Sequence, residues 1–146
     1  MNEHQPMKAE TILEKYQLHK TPVRIEILSL LLSRDFAFPE DELRKTLSKD
    51  YDRTTVYRNI QTFVDLGILH QIIDDQKTIQ FVLDKALANG THTRTEHVHF
   101  KCEVCGRLFC LEDTPVKKYK LPDGFRKIKS DFLIIGVCDA CNKNRF

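Results

Sequence analysis

The spacing of apolar residues along the first part of the chain predicts three helices. A helical stripe over residues 8–17 predicts the first of them. The second begins at Pro22, because Thr21 is a favourable N-cap residue and proline fits the first helical position. The third opens at Pro39–Glu42, where acidic residues in the first turn complement the helix dipole.

A fourth helix and a pair of strands follow. Asp52 is placed to cap a helix over Arg53–Leu66, and Gly67 suits the left-handed position just after its end. The apolar period then changes from helical to alternating, which predicts strands over Ile68–Ile73 and Thr78–Leu83. Because the residues between the two strands are polar and few, we expect the strands to form a hairpin.

Helices followed by a hairpin are typical of a winged helix-turn-helix, which binds double-stranded DNA by placing the helix after the turn in the major groove. Here that helix is Arg53–Leu66, so its polar side would meet bases and phosphates. A phosphate could also dock at the start of the second helix, where backbone N–H groups lack helical partners. The predicted DNA-contacting residues are Lys20, Thr21, Arg24, Arg53, Thr54, Thr55, Tyr57 and Arg58.

A polar segment at 85–96 is predicted to be a hinge between a first domain at 1–84 and a second at 97–146. The strands expected in the second domain are His97–Lys101, Arg107–Leu111, Phe125–Lys129 and Phe132–Ile135. The last of these is apolar on both faces. A domain this small has too little chain to cover both, so we expect a twofold partner to cover one.

Two C-x-x-C pairs in the second domain predict a metal site. The pairs are Cys102 with Cys105 and Cys138 with Cys141. Four thiolates can close a tetrahedron around zinc, because the two-residue spacer lets one tight turn aim both sulfurs at one point. Structural zinc contributes on the order of 10 kcal/mol in small modules, enough to hold a domain with so small a core.

A pair of histidines precedes the first of these cysteines. His97 and His99 stand at positions i and i+2 of a predicted strand, so both imidazoles lie on the same face. This arrangement suggests a second metal beside the first.

The composition excludes several classes of protein. A hydrophobic content of 41% and a charged content of 30% fit a soluble globular chain. No apolar run approaches the ~18 residues of a transmembrane helix, and the N-terminus lacks the apolar region of a signal peptide. We therefore expect the cytoplasm, where paired cysteines serve as metal ligands rather than disulfides. The net charge of +2 is too small to indicate nucleic-acid binding by itself, so that prediction depends on local clusters.

Four motifs occur in a specific order and spacing. They are Lys20-Thr-Pro-Val-Arg24, Thr54-Thr-Val-Tyr-Arg-Asn59 with Asp65-Leu-Gly67, His97-x-His99-x-x-Cys102-x-x-Cys105-Gly106, and Gly136-Val-Cys138-x-x-Cys141. Together they resemble the ferric uptake regulator family over nearly the whole chain. The resemblance implies an α+β protein in which a winged helix-turn-helix domain precedes a small α/β dimerisation domain with a four-cysteine zinc site. It further implies a homodimeric repressor that binds operator DNA and controls metal-uptake genes, with no membrane and no small organic substrate as partner.

The resemblance also implies roles for single residues. The four paired cysteines match the structural zinc ligands, and His97 and His99 match regulatory ligands. His70 is placed like a hinge ligand of zinc-sensing relatives, and Cys110 falls where many iron-type members have a carboxylate. The regulatory ion would be Zn²⁺ or Fe²⁺, and imidazoles with a thiolate favour zinc, as in a zinc uptake regulator. Ala37 replaces a histidine ligand of iron- and peroxide-sensing members, which disfavours peroxide sensing by histidine oxidation.

Some alternatives stay open at the level of sequence. A redox enzyme would need its C-x-x-C at a helix start after a strand, and no such pattern precedes either pair, so an enzyme is not expected. A zinc-stapled winged-helix protein could instead bind DNA without sensing any metal. His70 could be a wing residue without a ligand role, and Cys110 a small buried hydrophobe. The segment between Cys110 and Gly124 is shorter than in the family, and its two prolines disfavour the usual helix there.

Overall fold

The chain divides into two units, residues 1–93 and residues 94–146, which we call the winged-helix unit and the sheet unit. The computed structural model describes residues 7–84, 98–111, 114–128 and 130–143. The division falls within the segment 85–96. Those residues and His97 lie outside the described ones, so the predicted domain boundaries and hinge stay predictions.

Within residues 7–84, the described part of the winged-helix unit, the chain forms four helices and three short strands. They are α1 (Ala9–Lys15), α2 (Pro22–Leu32), β1 (Phe38–Pro39), α3 (Glu40–Thr46), α4 (Arg53–Asp65), β2 (Leu69–Ile73) and β3 (Ile79–Leu83). The predicted order of helices and hairpin is confirmed. The pairing of β1 with β3 is an addition, since a strand of two residues has no period of its own to read.

The apolar faces of the helices and the wing meet in one core. Its most deeply buried side chains are Ile12, Leu13, Ile27, Leu28, Leu43, Phe63, Ile68 and Leu69. Burying each such side chain stabilises the fold by about 1.5–3 kcal/mol. Because α4 turns Val56, Ile60 and Phe63 toward this core, its opposite polar side is left to solvent.

Both ends of α4 are fixed as the sequence predicts. The Asp52 carboxylate accepts a hydrogen bond from the Thr55 N–H at 2.6 Å, which caps the first turn. Gly67 adopts a φ of 78°, and the next residue, Ile68, donates its N–H to the Phe63 carbonyl at 2.9 Å. This closing turn needs a left-handed residue, so glycine is favoured there.

A buried carboxylate orders the tip of the wing. Asp74 accepts hydrogen bonds from the Gln76 and Thr78 N–H groups, both at 2.9 Å, and from the Gln80 side-chain amide at 3.0 Å. Lys77 takes a φ of 62° in the same turn. The turn is therefore held by side-chain hydrogen bonds as well as by the register of β2 against β3.

The described residues of the sheet unit form a three-stranded sheet followed by one short helix. Its elements are β4 (Val98–Cys102), β5 (Leu108–Leu111), β6 (Phe132–Gly136) and α5 (Asp139–Lys143). β4 is the central strand, antiparallel to β5 and parallel to β6. The turn between β4 and β5 includes Gly106 at a φ of 76°, as the sequence predicts.

Two local predictions need correction, and one element was not predicted. Thr21 stands at the N-cap position of α2, but its hydroxyl is buried and makes no capping hydrogen bond. The predicted strand over Phe125–Lys129 is wrong, because residues 125–128 follow a turn and pair with none of the described strands. The helix α5 is an addition to the predicted elements. By contrast, residues 114–128 contain no helix, as the prolines of this segment predict.

Candidate metal centre and nucleic-acid interface

The four paired cysteines form one cluster at the end of the sheet unit. Cys102 ends β4, Cys105 lies in the following turn, and Cys138 and Cys141 flank the start of α5. Their sulfur atoms all lie within 4.8 Å of one another, and the Cys105 and Cys138 sulfurs are 3.9 Å apart. Four sulfurs at zinc–sulfur distances of about 2.3 Å in a tetrahedron would be separated by about 3.8 Å. The cluster therefore fits zinc.

Backbone N–H groups stabilise the ionised form of one cysteine of this cluster, which is the form that binds a cation. The Cys102 sulfur accepts N–H groups from Cys105 at 3.5 Å and from Cys138 at 3.4 Å. These hydrogen bonds lower the pKa of the Cys102 thiol to about 6, so it is largely a thiolate at neutral pH. Shared hydrogen bonds with Cys138, together with burial, raise the pKa of the Cys141 thiol to about 12. Only a bound cation would let all four thiols ionise together.

Cys110 lies outside this cluster and opposite His99. The two residues are direct partners across β4 and β5. Side chains at such positions share a face of the sheet, with Cβ atoms about 4.5–5.5 Å apart. His99 is buried and Cys110 is half-buried. An imidazole and a thiol therefore stand side by side, while the role of either as a ligand stays a prediction. His97 lies outside the described residues.

A second candidate pair occurs at the base of the wing. The His70 Nε2 atom contacts the carboxylate of Asp84, which follows the last residue of β3 and is 6% exposed. The sequence pointed to His70, but Asp84 was missed. The sequence feature that could have drawn attention to Asp84 is its position directly after the apolar run Phe81-Val82-Leu83. The His70 imidazole and the Asp84 carboxylate are therefore hydrogen-bond partners, and a ligand role for His70 stays a prediction.

The solvent side of α4 displays most of the residues predicted to contact DNA. Arg53, Thr54, Tyr57 and Arg58 are exposed, and Thr55 is half-buried. The Tyr57 side chain keeps 62% of its surface exposed. Tyrosine has a large, mostly apolar side chain that is usually at least partly buried in folded proteins. An aromatic body beside two guanidinium groups and two hydroxyls can meet base edges, thymine methyls and phosphates.

The residues predicted to contact DNA at the start of α2 interact mainly with other groups of the protein, unlike those on the solvent side of α4. The Arg24 Nε donates to the Asn59 side-chain oxygen at 2.8 Å, which ties α2 to α4. Lys20 pairs with Glu14 in an exposed ion pair. The Thr21 hydroxyl is buried, and the Thr21 backbone N–H donates to the His19 carbonyl at 3.0 Å. The start of α2 therefore has fewer donors available to a phosphate than the sequence suggests.

A winged-helix unit followed by a sheet unit with four cysteines that could hold a metal defines a class of protein, the metal-binding transcription regulators. The sequence profile of the Ferric uptake regulator family matches residues 15–123, so the chain belongs to that family. The protein is therefore a metal-responsive transcriptional regulator and not an enzyme. Among the described residues, no helix has both the length and the apolar character needed to cross a membrane.

Individual relatives agree with this assignment. The chain is 28% identical over 141 residues to the ferric uptake regulation protein of Staphylococcus epidermidis, covering 91% of this chain and 94% of that protein. It is 28% identical over 109 residues to the peroxide-responsive repressor PerR of Staphylococcus aureus, covering 73% of this chain and 68% of that protein. A solved structure described as a zinc uptake regulator complexed with zinc and DNA matches 92% of this chain and 91% of its own, with a TM-score of 0.63 and 23% identity.

Proposed function

We propose that this protein is a homodimeric repressor that binds operator DNA when it is loaded with a sensed metal and thereby controls genes for the uptake of that metal. The observation that carries the proposal is the exposed polar face of α4 in a chain of the ferric uptake regulator family. Tyr57 and Arg58 would read bases, and Arg53 and the two threonines would contact phosphates or bases.

We assign zinc to the four-cysteine cluster. Sulfur ligands in a near-tetrahedral set favour zinc over the harder divalent ions, and the spacing of the sulfurs supports that choice. When bound, the ion would neutralise the thiolates and hold β4 to α5. It would be a permanent part of the fold, because the sheet unit buries few large apolar side chains among its described residues.

The sensed metal would use a separate set of ligands. His99 and Cys110 of the sheet unit, His70 and Asp84 of the winged-helix unit, and His97 are the candidates. Imidazole and thiolate donors support zinc rather than iron as this metal. Ala37 is 1% exposed and offers no donor atom, so a ligand from that position would be missing. This departure also disfavours a peroxide-sensing function like that of the S. aureus relative.

A second copy of the chain would cover the outer strand of the sheet unit. β6 pairs with β4 on one side only, and no described strand lies on its other edge. Ile134 and Ile135, on opposite faces of β6, are each about half exposed at 47% and 48%. Pairing of two such edges about a twofold axis would satisfy the free backbone groups of β6 and place a strand of the second copy beside Ile134 and Ile135.

The metal would act by selecting among placements of the two DNA-binding units. A bound metal favours those placements to which it binds more tightly. Only the difference in metal affinity between placements can shift their populations. The selected placement would match two half-sites of a palindromic operator, so each half-site would receive one α4.

Metal titrations of DNA binding test this proposal. The purified dimer, stripped of loosely bound metal, is titrated with Zn²⁺, Fe²⁺ or Mn²⁺ against a fluorescent duplex from the promoter of its own gene. We expect Zn²⁺ to raise promoter affinity by about 5- to 150-fold, the usual range of allosteric coupling. Promoter affinity that no metal changes would leave a zinc-stapled DNA-binding protein without a sensor function.

A further inference from the structure

The positive charge of this chain is concentrated away from its recognition helix. The winged-helix unit, residues 1–93, carries twelve Lys and Arg against fourteen Asp and Glu, a net charge of −2. The sheet unit, residues 94–146, carries eleven Lys and Arg against seven Asp and Glu, a net charge of +4. Within it, residues 117–129 hold six basic residues and one acidic residue. The rest of the chain is therefore net negative, since the whole chain is only +2.

The segment 117–128, which we call the basic loop, forms a groove on the surface. A turn at residues 122–125 folds it back on itself, with the Phe125 N–H donating to the Pro122 carbonyl at 3.1 Å and Gly124 at a φ of 85°. The residues before this turn and those after it form two limbs, which border an open groove of about 880 Å³. Lys117 and Lys118 line it from one limb and Arg126 and Lys127 from the other.

The basic loop is attached to the sheet and its charges face solvent. The Tyr119 ring stacks on the Phe132 ring of β6, with centroids 6.1 Å apart and an interplanar angle of 14°. Every residue from 117 to 128 is exposed. In the part of the chain that is described, no carboxylate forms an ion pair with Lys117, Lys118 or Arg126.

We propose that the basic loop is a second DNA-binding surface, which contacts the phosphate backbone without reading sequence. This proposal rests on the proposed function, because it assumes that DNA is the polyanion. Affinity for DNA comes largely from neutralised phosphates, and a winged-helix unit with a net charge of −2 supplies little of that attraction over distance. The basic loop, present in each copy of a dimer, supplies the missing positive charge.

The salt dependence of DNA binding tests this assignment directly. The full-length zinc-loaded protein is titrated onto a fluorescent duplex of arbitrary sequence between about 50 and 200 mM salt. One variant carries Lys117→Gln, Lys118→Gln and Arg126→Gln. Its matched control carries Lys8→Gln, Lys15→Gln and Lys143→Gln, which remove the same charge from exposed positions outside the basic loop. Zinc content and circular dichroism of each variant confirm that the fold is intact.

We expect the loop variant to lose about 0.9 of the log–log salt slope for each phosphate contact removed, so about 2.7 for each copy, while the control keeps its slope. Equal slopes for the loop variant and the control would overturn the assignment. Binding of the wild-type protein to vesicles of anionic lipid that the loop variant loses, with unchanged DNA binding, would overturn it in favour of a membrane surface. Failure of the proposed function is a separate result, since it would appear as promoter affinity that metal does not change.

Discussion

Replacing Cys102 by serine removes the most deeply buried sulfur of the four-cysteine cluster. The side chain at this position has no exposed surface and accepts two backbone N–H groups. A serine hydroxyl keeps the size but does not ionise at neutral pH, so it cannot replace a thiolate ligand of zinc. Cys110→Ser is the matched control, because it makes the same change on β5 outside the cluster.

The expected effect follows from how little else holds the sheet unit. Among its described residues, the buried apolar side chains outside the four-cysteine cluster are Val98 and Leu108. Burial of two such side chains contributes about 3–6 kcal/mol. Structural zinc contributes about 10–16 kcal/mol in small zinc-dependent modules. Loss of the metal therefore removes the larger of the two stabilising contributions, and we expect the sheet unit to unfold.

Metal analysis and thermal unfolding of the two variants separate the outcomes. Cys102→Ser should contain no tightly bound zinc, show one transition from the winged-helix unit alone, and expose residues 98–143 to protease. Cys110→Ser should keep the zinc and the protease resistance. A Cys102→Ser protein that lacks zinc and yet keeps a folded, protease-resistant sheet unit would refute the reasoning.

Three further outcomes are expected. Asp74→Ala should lower the free energy of unfolding by about 1.5–3 kcal/mol in urea titrations, because it removes hydrogen bonds to a buried charged group, whereas Asp75→Ala at an exposed position should change it little. Phe63→Ala should cost about 3–5 kcal/mol by opening a cavity, and its zinc content should be unaffected. Zinc uptake by the metal-free protein, followed with a chromogenic chelator, should proceed at pH 7 and fall below about pH 6, because protons then occupy the Cys102 sulfur, whose pKa is lowered. Uptake that is unchanged between about pH 7 and pH 5 would contradict competition between protons and zinc for thiolate ligands.

Local signals in the sequence were sufficient for much of the winged-helix unit. Asp52 and Gly67 mark the ends of α4 because a cap and a left-handed turn depend on the residue itself and its near neighbours. The four cysteines could be selected in the same way, since each pair needs only one tight turn. These features are decided over a few residues, so they can be predicted without knowing the rest of the fold.

Features that depend on distant partners could not be predicted. The parallel pairing of β4 with β6 joins residues separated by a long connection, and no local pattern specifies it. The mistaken strand at Phe125–Lys129 had an apolar residue near each end, but none of the described strands lies beside it to pair with it. The contact between His70 and Asp84 depends on the register of the hairpin, which places the two at the base of the wing.

The central claim is that a permanent zinc and a sensed metal occupy different residues of one regulator. Metal content and promoter affinity measured on the same samples of wild-type, His99→Ala and Cys102→Ser protein test it most directly. We predict that His99→Ala keeps the tightly bound zinc and the folded sheet unit but loses the metal-dependent gain in promoter affinity, whereas Cys102→Ser loses the zinc and the fold together. If His99→Ala retained the full metal response, or if the two variants behaved alike, the division into structural and regulatory sites would be contradicted.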